Sequence, residues 1–156
     1  MGISSDGQIC FGVRFDEGYE FPWDASPYEG DYTDWWFYEV HKLEHARPIY
    51  DRHGNHLNGV VPTCEDIHAV YEERLEWQKA YPMPFCVVNY CSADYPMYLL
   101  AVPSSLMSVG RGEVIPFVPT DLRVSGEEHL MLIKFCLDHG IRYCTDATWY
   151  LTAFMG

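Results

Sequence analysis

From Gln8 to Phe15 the chain alternates. Ile9, Phe11, Val13 and Phe15 fall on one side, with Cys10, Gly12 and Arg14 on the other, which is the two-residue period of a half-buried strand. The period then disappears. Residues 16–31 hold Gly18, Pro22, Pro27 and Gly30 among aromatic and acidic side chains and read as a long loop, a length that usually goes with function or mobility. Thr33 or Asp34 caps a predicted helix running to about Glu44. That helix has two apolar stripes: Tyr32, Trp36, Val40 and Leu43 on one, Trp35, Tyr38 and Lys42 on the other. One stripe can face a core, and the second needs the loop or a partner to cover it.

Pro48 to Leu57 predicts a short hairpin. Thr63 and Asp66 resemble a capping box opening a second helix, with Ile67, Val70, Tyr71, Leu75 and Trp77 as its apolar positions, Glu65, Glu72, Glu73 and Glu76 on the wet side, and Pro82 and Pro84 as the stop. β-Branched and aromatic content predicts strands over 85–90, 97–102, 106–109 and 114–118, the last two split by Gly110-Arg111-Gly112. Ser125 and Glu128 cap a third helix to about His139, with Gly140 as the residue that ends it; it is apolar on most sides, so deep burial is expected. Trp149 to Phe154 is a last strand. Strands and helices do not alternate regularly. The prediction is therefore an α+β fold, a mainly antiparallel sheet of about five strands packed with three helices, as a single domain over residues 1–156.

Composition narrows the partners. The 156 residues carry a net charge of −13 and are 48% hydrophobic and 16% aromatic, so a packed core is expected and a basic patch for nucleic acid is not. The acidity is uneven. Asp16, Glu17, Glu20, Asp24, Glu29, Asp31, Asp34, Glu39 and Glu44 share their stretch with a single lysine, Lys42. The same stretch holds Trp23, Trp35, Trp36, Phe37 and Tyr38. Aromatics give large, stiff contact areas at binding hot spots, and carboxylates around them select cationic partners. Trp23, Trp35 and Tyr38 are accordingly expected as anchors, with Asp24, Asp31, Asp34 and Glu39 meeting basic residues of a partner protein. The opening residues lack a basic and then apolar run, no stretch reaches transmembrane length, and the six cysteines read as free thiols; together these predict a cytoplasmic protein with no membrane contact.

Catalytic signals are sparse. His41/His45 and Cys64/His68 are spaced i, i+4, but no Cys-x-x-Cys or established zinc spacing accompanies them, and no metal or cofactor is expected. No serine or cysteine sits in a nucleophile elbow. The main enzymatic alternative groups Cys91, Asp94 and Arg111 near one cleft, as a hydrolase or nucleotide-acting site, with sugar hydrolysis by the carboxylates of residues 16–31 as a minor one.

Gly7 to Val13, Glu17 to Trp23, Trp35-Trp36, Asn89 to Ser92, Tyr95 to Tyr98, Leu100 to Pro103 and Trp149 to Leu151 resemble small uncharacterised proteins of tailed phages and prophages. The resemblance covers most of the chain and carries no catalytic residue. It implies an accessory product of the infected bacterial cytoplasm. It also implies a function class: binding and disabling a host protein, such as an anti-defence or anti-CRISPR factor acting on a nucleic-acid-binding complex. A variant within that class is an acidic DNA mimic that blocks such a protein without binding nucleic acid itself.

Overall fold

The computed structural model describes residues 5–25, 30–46, 62–92, 94–110 and 112–155. The chain forms two units: one from Met1–Tyr19 and Pro84–Gly156, the other from Glu20–Met83, which is inserted between the first two strands of the first. The predicted hairpin over 48–57 lies outside the described residues.

The first unit is a mainly antiparallel five-stranded sheet with one helix. Its strands are β1 (Ser5–Arg14), β2 (Cys86–Ser92), β3 (Pro96–Ala101), β4 (Met107–Val109) and β5 (Thr148–Met155), in the order β3-β2-β5-β1-β4, with β3 also pairing β1. β5 runs along one flank of β1, from Ser5↔Met155 to Gly12↔Thr148. The other flank is shared by β4, through Gly7–Ile9, and β3, through Gly12–Arg14. Because β2 joins β3 and β5, the ladder β1-β5-β2-β3 returns to its start. Closure of this kind reduces open edges, and β4, paired with β1 alone, keeps one among the described residues.

Inside the ring, cross-strand partners meet: Cys10 with Tyr150, Val88 with Leu99 and Cys86 with Ala101. Gly12 marks a corner, since a Cβ there would lie 2.3 Å from the Leu100 carbonyl oxygen, so only glycine lets the two strands approach. The simple alternation expected for β1 fails at this corner. Cys10, Val13 and Phe15 are all buried, while Ile9 and Phe11 are half-buried on the outer face.

The helix of this unit, called α3 because two others precede it in the chain, spans Gly126–Asp138. Ser125 and Glu128 form its capping box and Gly140, at φ +66°, ends it, both as expected. Its predicted all-round burial is wrong. Leu132, Phe135 and Cys136 are buried at i, i+3, i+4 spacing, but Leu130, Met131 and Leu137 are exposed. The expected strand over 114–118 is also absent. This stretch is extended, exposed and without a ladder partner among the described residues. Pro116 has no N–H to offer, and Pro119 opens a 3₁₀ turn over Pro119–Asp121.

The second unit packs helical segments. α1 (Tyr32–Asp34) is one turn capped by the Asp31 carboxylate and continues as a π-helical stretch, Trp35–Val40. α2 spans Cys64–Ala80, opened by the Thr63–Asp66 capping box. Trp35, Trp36, Phe37 and Tyr38 are all buried. Successive side chains on a helix turn by roughly 100°, so four in a row are buried only when the segment is covered on every side.

Candidate functional site

The aromatic–acidic segment is the core of the second unit. Its rings touch in sequence: Phe21 stacks on Trp23 at 4.5 Å, Trp23 meets Trp35 at 5.3 Å, Trp36 meets His41 at 4.5 Å, and His41 meets Tyr81 at 4.5 Å. Trp77 of α2 receives Phe37, Tyr38 and His45, the last stacked at 4.7 Å. Trp23, Trp35 and Tyr38, expected as partner anchors, are 3%, 6% and 2% exposed. The reason is that the unit has few aliphatic side chains and builds its interior from these rings.

The expected partner-binding carboxylates have local duties. Asp24 accepts from the Phe21 amide at 2.6 Å, Asp31 accepts from the Asp34 amide at 2.9 Å, Asp34 pairs with Arg74 at 2.5 Å, and Glu39 pairs with Lys42 at 2.7 Å. These four carboxylates therefore satisfy one turn, a helix start and two ion pairs.

α2 is rotated from its expected orientation. Val70, Glu73, Arg74 and Trp77 turn inward, so two charged residues enter the interior and two apolar ones leave it. The charges are bound in a chain of contacts. Arg74 donates to the Tyr38 hydroxyl at 3.3 Å as well as to Asp34, Tyr38 lies 2.7 Å from His45 Nε2, and His45 Nδ1 lies 2.6 Å from Glu73. The other Glu73 oxygen accepts from the Ala46 amide at 2.9 Å. One proton arrangement serves every link: Tyr38 accepts from Arg74 and donates to His45 Nε2, and His45 donates from Nδ1 to Glu73. Burial pushes the Tyr38 phenol up to about 12, so it stays protonated and keeps its donor role. This tyrosine–histidine–carboxylate series has the order of a catalytic relay, but its hydroxyl end is enclosed by the rings. It fixes residues 34–46 to α2.

What α2 sends outward is the surface that the sequence reading missed. Ile67 and Tyr71, one turn apart, are 50% and 58% exposed, with Cys64 and His68 beside them. At 100° per residue, Cys64, Ile67, His68, Tyr71 and Leu75 form one stripe, and Glu65, Glu72 and Glu76 line its flank. The result is an aromatic and aliphatic strip bordered on one side by carboxylates and turned by roughly 120° from the buried face. The available signal was that Val70, Glu73, Arg74 and Trp77 share one helical face.

Cys91, the last residue but one of β2, has φ +80°, in the left-handed region that is uncommon for a side-chain-bearing residue, and Asp94 is exposed. Arg111 lies outside the described residues. Among the described residues no histidine or carboxylate hydrogen-bonds the Cys91 thiol, no three metal-ligating side chains converge, and no helix is long and apolar enough to cross a membrane. Comparison with protein-family models, with curated proteins and with solved structures finds no match to this chain.

Proposed function

We propose that the protein is a non-enzymatic interaction module that binds a basic partner protein through the outward face of α2. Within that class we favour an accessory phage product that inhibits a host protein, the form implied by the sequence resemblance. The observation that carries the reading is the exposure of Ile67 and Tyr71 beside Glu65, Glu72 and Glu76. An apolar centre with an aromatic residue and a charged border is the anatomy of a protein contact, and the net charge of −13 selects a partner rich in Lys and Arg. DNA mimicry fits less well, because a phosphate backbone has no counterpart to an apolar strip between its charges.

The test is affinity capture from bacterial lysate, followed by titration of the captured protein against variants. Ile67→Ala/Tyr71→Ala should weaken binding by at least about tenfold, the scale of truncating interface hot spots. Glu65→Gln/Glu72→Gln/Glu76→Gln should lower the association rate and its salt dependence. A captured protein that binds both variants like the wild type would refute the surface. Capture of none would refute the module.

A further inference from the structure

The outer face of the sheet holds a second feature, entirely within the first unit. A cavity of about 590 Å³ opens there, lined by Phe11 of β1, Trp149 directly opposite it on β5, Leu122, Arg123, Val124 and His129. Its volume falls in the usual range for small-molecule sites, roughly 300–1,000 Å³. Three rings form its floor and wall. Phe11 meets His129 at 5.4 Å and Trp149 at 5.7 Å, with planes inclined by 75° and 69°. Phe11 and Trp149 are only half-buried and His129 is exposed, so aromatic surface remains open to an occupant.

Charge around the cavity is sorted. Glu128 is turned away: it accepts from Ser104 at 2.6 Å and from the Ser125 amide and hydroxyl at 2.8 Å, bonds that hold its carboxyl below the ordinary value. Asp121 accepts from the Val118 amide at 3.1 Å. Arg123, by contrast, has no ion pair or side-chain hydrogen bond among the described residues. An uncommitted guanidinium at the edge of an aromatic cavity matches a flat ligand with an acidic group, since guanidinium binds carboxylate and phosphate with two parallel hydrogen bonds. Gly126, which also lines the cavity, leaves room: nothing lies within 4 Å of where its Cβ would stand.

We propose that this cavity binds a planar aromatic molecule bearing one carboxylate or phosphate, with its ring on Phe11, Trp149 and His129 and its acid on Arg123. The site shares no residue with the α2 face and does not depend on it.

The test follows the indole N–H resonance of Trp149, assigned with Trp149→Phe, in heteronuclear NMR without phosphate buffer. The probes are adenosine monophosphate against adenosine, and indole-3-acetate against indole. At least one acidic probe should shift the resonance saturably, about tenfold more tightly than its neutral analogue. A phosphate-only or carboxylate-only response identifies the acid. Arg123→Gln should erase the difference within the pair. Gly126→Leu should abolish binding while the remaining spectrum stays folded, because it puts a bulky side chain on a cavity-lining residue whose Cβ position is open. Failure of every probe to shift the resonance at millimolar concentration, equal affinity within both pairs, or wild-type binding by Gly126→Leu would each overturn the proposal.

Discussion

Trp35 and Tyr71 show how little the type of a residue says about its role. Both are aromatic and both lie among carboxylates in the sequence, yet one is 6% exposed and the other 58%. Trp35 touches Trp23, Tyr32 and Trp36, and its removal leaves a hole among stiff rings that cannot collapse. Trp35→Ala should therefore cost about 3–5 kcal/mol of stability, the range for deleting a large buried aromatic, whereas Tyr71→Ala should stay within about 0.5 kcal/mol. Denaturant unfolding of the two variants measures this directly. Equal losses would mean that Trp35 is not a core residue or that Tyr71 is.

At the scale of elements, much was legible and the misses share a cause. Capping boxes at Thr63/Asp66 and Ser125/Glu128 and the glycine after α3 are local chemistry, and all three stand where the sequence placed them. The α+β class and the mainly antiparallel sheet followed from element order. Orientation was harder. Which way α2 faces depends on Glu73 finding His45 and Arg74 finding Asp34, at sequence separations of 28 and 40 that no helical period reports. The inner and outer residues of β1 likewise depend on Gly12, where Leu100 comes within reach. Gly12→Ala should destabilise the sheet by more than the ordinary glycine-to-alanine change, which is under about 1 kcal/mol in either direction, because backbone must move to admit the methyl group. Thermal unfolding of that variant is the check, and a midpoint equal to or above that of the wild type would rule the corner out. The cavity at Phe11 and Trp149 had no sequence signal, since it assembles residues from both ends of the chain.

For the molecule as a whole, pH acts through two histidines before it acts through the many carboxylates. Burial holds His41 and His139 below their ordinary 6.5. A base with a depressed value in the folded state stabilises the fold above its unfolded value, and that stability is lost as pH falls below 6.5 towards the folded value, because the unfolded chain binds the protons first. The carboxylates stay charged through most of this window, so relief of the net charge does not mask it. The melting midpoint should fall between about pH 7.5 and about pH 5.5, and His41→Phe/His139→Phe should flatten the decline. A wild-type midpoint constant across that interval would contradict the assignment.

The eight-pair alignment of β1 with β5 also says something about birth on the ribosome. β1 is synthesised well before its longest neighbour, which follows only after more than a hundred further residues, a delay on the order of ten seconds at ordinary elongation rates. Until then Ile9, Phe11 and Val13 sit on a strand with one flank bare. Such long-range pairing slows folding and leaves the nascent chain adhesive. Translation speed and chaperone supply should thus govern the yield of this protein more than the final stability of its sheet.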